Sequence, residues 1–138
     1  MNRRKFLIVA AAAVAGVCRS KIAHAKAFQS SADDVVDAGP LTQFAADGVF
    51  EQFREQGFFI IRRHKKLFVL SSVCTHKGCK VRAQPDQSYL CKCHKSRFSP
   101  DGVVLNGPAA RNLPRLGVKE SAERHVLVNR ARQIETAV

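Results

Sequence analysis

The chain has no tryptophan, one tyrosine and one methionine among its 138 residues, so a large aromatic core is excluded. It also lacks any run of about 18 apolar residues, which excludes a protein that crosses a membrane several times. Acidic residues are scarce, with 11 against 23 basic residues and a formal net charge of +12. The apolar content of 46% is nevertheless too high for a disordered chain, and the length suits a single domain.

The N-terminal segment has the pattern of an export signal. Paired arginines precede a weakly apolar stretch, 6–17, which as a helix covers about 18 Å of the roughly 30 Å hydrocarbon core. The Ala-His-Ala at 23–25 matches a signal-peptidase site. We therefore expect residues 1–25 to be a cleaved twin-arginine signal that delivers the folded protein to the periplasm, with membrane association only if it stays uncleaved. Lipidation at Cys18 is disfavoured because Val17 stands where a small residue is needed.

The remainder is organised as a flexible lead-in (26–33), one domain (34–129) and a C-terminal tail (130–138). Short β-rich runs separated by turn signals occur at 35–36, 57–62, 67–71, 80–83, 88–90, 103–105 and 125–128. Only 41–56 suits a helical turn. The pattern predicts an all-β sandwich or barrel, in which the second and third runs form a hairpin with its turn near His64.

Two loops carry the candidate chemistry. The first reads CTHKGC over residues 74–79, and the second reads CKCHKS over residues 91–96. Each loop supplies one Cys and one His at metal-ligand spacing, together with one further Cys. Thiolate combined with imidazole indicates zinc or iron rather than calcium or magnesium. A structural Cys₂His₂ zinc site remains an alternative, although it leaves two cysteines without a role.

These loops resemble the two boxes of Rieske iron–sulfur proteins, C-x-H-x-G-C and C-x-C-H-x-S, and the resemblance continues to the Gly-Pro-Ala at 107–109. It implies an all-β fold, a Rieske-type antiparallel β sandwich with a small cluster-binding subdomain of two loops. It also implies one [2Fe–2S] cluster with two Cys and two His ligands. By position, the inner iron would be held by Cys74 and Cys91, and the outer iron, near the surface, by His76 and His94.

The resemblance also implies roles for neighbouring residues. Cys79 and Cys93 match the pair that forms a disulfide between the loops, worth roughly 3 kcal/mol in the chain-entropy model. Ser96 matches a serine that donates a hydrogen bond to a cluster sulfide. Phe98 stands where high-potential members carry a tyrosine, so we expect a lower reduction potential. The other positions placed beside the cluster are Gly78, Gly107 and Pro108.

The loop tips depart from the pattern of quinol-oxidising members, which have apolar or small residues there. Here the three positions are Lys77, Lys92 and Lys95. Entry of these cations into an apolar quinone pocket would carry a large desolvation cost. We therefore expect docking to an acidic redox partner, either a c-type cytochrome or a large oxidoreductase subunit, and not to nucleic acid.

The expected function is that of a periplasmic one-electron carrier, free or as the small subunit of a larger oxidoreductase. The latter resembles the small subunit of arsenite oxidase, partly through residues 112–115. The alternatives are a Rieske subunit of a cytochrome bc-type quinol-oxidising complex, the electron-entry domain of a ring-hydroxylating oxygenase and the non-redox zinc module. The oxygenase is disfavoured because it needs a catalytic iron domain for which the chain lacks room. No catalytic constellation beyond the cluster is visible, so the sequence assigns no enzymatic activity to this chain alone.

Overall fold

The computed structural model describes residues 32–134, so the expected signal peptide and most of the lead-in lie outside it. The strands are β1 (Val35–Pro40), β2 (Gly48–Phe50), β3 (Phe58–Arg63), β4 (Lys66–Ser71), β5 (Arg82–Ala83), β6 (Tyr89–Leu90), β7 (Arg97–Phe98), β8 (Val104–Asn106), β9 (Arg115–Glu120) and β10 (His125–Ile134). Three short 3-10 helices span Ala32–Asp34, Leu41–Phe44 and Arg54–Gln56. Within this part of the chain, no helix has the length and apolar character needed to cross a bilayer.

The strands form two antiparallel sheets. The large sheet has six strands in the order β1-β10-β9-β4-β3-β2, and the small sheet has four in the order β5-β6-β7-β8. The first loop lies between β4 of the large sheet and β5 of the small sheet, and the second connects β6 to β7 within the small sheet. The predicted all-β fold with a small subdomain of two loops is confirmed.

A continuous apolar run explains how the large sheet is covered on both faces. In β3, Phe58 and Ile60 face one buried cluster, whereas Phe59 and Ile61 face the other, because side chains alternate along a strand. All four side chains are fully buried. The cluster that contains Phe59 also contains Cys74 and other residues of the small subdomain. The candidate site therefore packs against the face of the large sheet that contains Phe59 and Ile61.

The β3–β4 hairpin has the predicted turn. Arg63 pairs with Lys66, which leaves His64 and Lys65 as the two turn residues. Their φ angles are 48° and 66°, in the left-handed region. A two-residue turn of this hand matches the twist of the flanking strands, although Asn-Gly usually occupies it.

Other elements differ from the expectations. The segment 41–56, expected to suit a helical turn, contains two 3-10 turns with strand β2 between them, and β9 was not predicted. Strand β10 continues to Ile134, so the described part of the expected tail, 130–134, is strand. A register shift follows Asn129, whose side-chain oxygen accepts the N–H groups of Ala131 and Arg132, both at 3.0 Å. The bulge allows pairing to resume beyond it.

Candidate metal centre

The two loops have the same backbone conformation. In each, the N–H of the first residue donates to the carbonyl of the sixth, at 2.7 Å in 74–79 and 2.8 Å in 91–96. The N–H of the fifth residue returns to the carbonyl of the first, at 2.9 Å in both. That fifth residue is left-handed in both loops, with φ of 74° at Gly78 and 62° at Lys95. A shared hydrogen-bond pattern thus fixes the first residue of each loop in an equivalent position.

These first residues are Cys74 and Cys91, the predicted ligands of the inner iron. Both are free thiols and are buried in one core cluster. Burial raises the pKa of Cys74 and the adjacent Cys91 adds to this, while hydrogen bonds from the His76 N–H and the Ser96 hydroxyl oppose it. Donors directed at a buried sulfur stabilise its thiolate, which is the form that binds metal.

The two histidines lie together on the outer side. The rings of His76 and His94 have centroids 4.6 Å apart and are perpendicular. His94 is exposed and His76 half-buried. Desolvation lowers the pKa of His76, and positive charge at His94 and Lys77 lowers it further, so the ring favours its neutral, ligating form. Nδ1 of His76 is buried and has no hydrogen-bond partner among the described residues. A buried ring nitrogen of this kind fits a metal ligand.

A disulfide joins the two loops. It connects Cys79 and Cys93, whose Cα atoms are 6.6 Å apart. By distance alone the sulfurs of Cys79, Cys91 and Cys93, all within 4.8 Å of one another, could form a metal group. The disulfide removes two of these sulfurs as thiolates and leaves Cys91 as a ligand. The residues present thus fit a cluster held by two thiolates and two imidazoles. The assignment of Cys74, His76, Cys91 and His94 as its ligands stays a prediction.

A third segment, 107–109, closes the site. Gly107 has φ 95°, and a Cβ at this position would lie 2.5 Å from Cα and 2.9 Å from Oγ of Ser96. Ser96 is fully buried, and its Oγ accepts the N–H of Ala109 at 3.1 Å. Glycine is thus required for the close approach of the segment to the second loop. The exposed Pro108 lies between these two contacts in sequence.

Phe98 is a packing residue in this structure. Its side chain is fully buried in the core cluster that also contains Cys74 and Cys91. The ring lacks a hydroxyl, so it provides no hydrogen bond to a cysteine sulfur. The expected lower reduction potential stays a prediction.

The tip lysines lie within two residues of the histidines in sequence and have no compensating acids. Lys77, Lys92 and Lys95 are all exposed, and none has an ion-pair partner in residues 32–134. Asp86, the one acid between positions 74 and 98, lies 4.0 Å from Arg97 instead. The outer face of the site is therefore cationic.

Two contacts that support the loops were not predicted. Arg54 donates from Nε to the carbonyl of Val81 at 2.7 Å and from Nη2 to that of Lys80 at 3.1 Å, which holds the chain as it leaves the first loop. The Thr75 hydroxyl donates to the carbonyl of Arg111 at 2.5 Å. The partners are 26 to 36 residues apart in sequence, and no local pattern signals such contacts.

Comparisons with known proteins agree with this geometry. The family model of the Rieske [2Fe-2S] domain matches residues 32–117. The chain is 42% identical over 59 residues to a Haloferax mediterranei protein described as the Rieske subunit of a respiratory nitrate reductase, covering 41% of this chain and 27% of that protein. It is 34% identical over 58 residues to the cytochrome b6-f complex iron-sulfur subunit of Chlorobaculum thiosulfatiphilum, covering 41% and 32% respectively. The matches thus span a third or less of these relatives' length.

A solved structure extends the likeness to most of the described fold. The plasma membrane Rieske protein of the cyanobacterium Synechocystis aligns with a TM-score of 0.53 and 28% identity. The alignment covers 67% of this chain and 97% of that protein.

Proposed function

Because the chain belongs to the Rieske [2Fe–2S] domain family, we propose that it is an exported one-electron carrier, free or as the small subunit of a larger oxidoreductase. A [2Fe–2S] cluster in such a site supplies reversible one-electron transfer. The observation that carries the proposal is the histidine pair on the outer face with three uncompensated lysines beside it.

The site has a buried side, formed by the two cysteines, and a solvent-exposed side, formed by the histidines. Cys74 and Cys91 are 2% and 0% exposed, so no partner reaches the inner iron through them. His94 is exposed, and it offers a route from the outer iron to a docked protein. A partner therefore contacts the site at the histidines.

The lysines define the chemistry of that partner. A cationic face attracts an acidic protein and raises its association rate, and this attraction weakens as salt screens it. We infer that Lys77, Lys92 and Lys95 dock an acidic c-type cytochrome or an acidic large subunit. Quinol oxidation in a cytochrome bc-type complex is the second candidate, and one relative is a cytochrome b6-f complex iron-sulfur subunit. It is disfavoured because an apolar pocket would have to desolvate these lysines.

Periplasmic location is part of the proposal. An inter-loop disulfide is typical of proteins from oxidising compartments. The twin-arginine pattern at the N-terminus agrees with this. Fractionation of cells that produce the wild type and an Arg3→Lys, Arg4→Lys variant tests it: we expect the wild type in the periplasm and the variant retained in the cytoplasm. A wild type found in the cytoplasm would contradict export.

The docking proposal is tested by stopped-flow electron transfer to a negatively charged c-type cytochrome. We expect the rate to fall by at least about tenfold from low to high ionic strength. In a Lys77→Glu, Lys92→Glu, Lys95→Glu variant, we expect the rate not to rise at low ionic strength. The matched control is Lys119→Glu, which makes the same change of charge at an exposed residue of β9. A positively charged cytochrome should show the opposite salt trend.

Salt-independent transfer, with the triple variant as fast as wild type, would refute electrostatic docking and favour the quinol-oxidising alternative.

A further inference from the structure

A second cationic surface lies at the end of the β3–β4 hairpin that is remote from the loops. A cleft of about 600 Å³ opens there. Its lining residues are Arg63, His64, Lys66, Leu67, Phe68, Asp101 and Arg115. Strand β4 runs from this cleft toward the first loop, and its six residues span about 17 Å. The lining of the cleft contains no residue of the two loops and none of Lys77, Lys92 and Lys95.

The cleft is built around one aromatic ring and one carboxylate. The guanidinium carbons of Arg63 and Arg115 lie 5.6 and 4.4 Å from the ring centroid of Phe68. Asp101 is 2.9 Å from Arg63 and 3.6 Å from Arg115, so it holds both guanidinium groups in place. Arg63 also donates to the carbonyl of Pro100 at 3.3 Å. Two planar, forked donors are thus fixed in position before any ligand arrives.

The charge of the cleft is incompletely compensated. Arg63, Lys66 and Arg115 face one acid, Asp101, which leaves a balance of +2 with histidine neutral. Nε of Arg115 is buried and has no acceptor in residues 32–134. Lys66 is exposed and has no ion-pair partner in the same residues. The cleft therefore has capacity for an additional anion.

The β3–β4 turn beside the cleft holds His64 and Lys65 in backbone conformations that cost free energy. His64 and Lys65 both have positive φ, where Asn-Gly would be unstrained. The N–H of His64 is held by Asp47 Oδ2 at 2.9 Å.

We propose that this cleft binds an acidic segment of the redox partner and so anchors it at a distance from the electron exit. The volume lies in the range of sites that bury a ligand of some size, about 300–1,000 Å³, and exceeds what a single inorganic anion fills. A concave site with Leu67 and Phe68 in its lining accepts a chain segment with carboxylates and apolar groups, whereas a flat bilayer surface does not reach into it. The inference rests on the proposed function, because it takes the partner to be the same acidic protein.

The experiment uses the holoprotein and a fluorescein-labelled hexaglutamate peptide, with hexaglutamine as the uncharged probe. Binding is followed by fluorescence anisotropy at about 0.1 M salt, where the Debye length of about 10 Å limits the influence of charges that do not contact the peptide. We expect Lys66→Glu to weaken binding of hexaglutamate about tenfold, and Lys66→Gln by an intermediate factor. Lys119→Glu, an equal change of charge outside both surfaces, should weaken it less than twofold.

Further measurements distinguish binding in the cleft from docking at the tip lysines and from binding of other ligands. The variant with Lys77, Lys92 and Lys95 changed to Glu should retain hexaglutamate binding within about threefold. Loss of binding in that variant alone would overturn the inference and leave the proposed function intact. Equal binding of hexaglutamine, full competition by inorganic phosphate at matched ionic strength, or binding only to phosphatidylglycerol vesicles would each overturn it as well. Visible absorption of each variant verifies that the site is assembled.

Discussion

Replacement of Gly107 by alanine gives a sharp test of how the third segment supports the metal centre. The residue has φ 95°, which costs an L-residue about 1–2 kcal/mol. Its Cβ would lie 2.5 Å from Ser96 Cα, so the backbone must also shift, at a further cost of about 1–3 kcal/mol. We therefore expect Gly107→Ala to destabilise the holoprotein by about 2–5 kcal/mol.

The matched control is Gly78→Ala, in the first loop. It has φ 74°, but the nearest atom to its Cβ would be Val73 Cγ1 at 4.0 Å, so only the backbone cost of about 1–2 kcal/mol applies. Guanidinium-induced loss of the cluster's visible absorption, with far-ultraviolet circular dichroism as a second probe, measures both variants. Equal destabilisation by the two substitutions would refute the role of the contact with Ser96.

Three further predictions concern the cluster itself. Wild type should contain two irons and two acid-labile sulfides, and His94→Ala should lose them; a colourless wild type with one zinc would establish the zinc alternative. The pair Cys79→Ser, Cys93→Ser should assemble the cluster but lower stability by roughly 3 kcal/mol, so an unchanged denaturation midpoint would mean that the disulfide does not stabilise the loops. Phe98→Tyr should raise the reduction potential, which we expect within about −150 to +300 mV in a redox titration. An unchanged potential would show that the missing hydroxyl has no tuning effect.

The sequence predicted those parts of the fold that depend on local patterns. The apolar run 58–61 and the charged turn at 64–65 identify the hairpin, because a short apolar run and the charged residues that end it are both local patterns. The two loops were located by ligand type and spacing. Strand β9 was missed because it contains Gly117 and ends in charged residues, and its central place depends on pairing with β4 and β10. Such pairing is a tertiary property that overrides local propensity.

The site shows the same division. Ligand candidates and the lysines follow from residue type and position in the loops. The carbonyl contacts of Arg54 and Thr75 depend on segments far apart in sequence. The cleft around Phe68 has the same origin, since it combines the hairpin with Asp101 and Arg115. A single sequence contains no local pattern that shows which distant segments lie together.

The equivalence of the two loops makes one difference between them informative. The backbone requires a left-handed residue at the fifth position, which is Gly78 in the first loop and Lys95 in the second. Glycine adopts this conformation freely, while lysine does so at a cost of about 1–2 kcal/mol. Because the position directly follows His94, a Lys95→Gly exchange would make the second loop conformationally easier and its outer face less cationic at once. Under the docking proposal, easier formation of the loop and attraction of an acidic protein are therefore opposed at this single position.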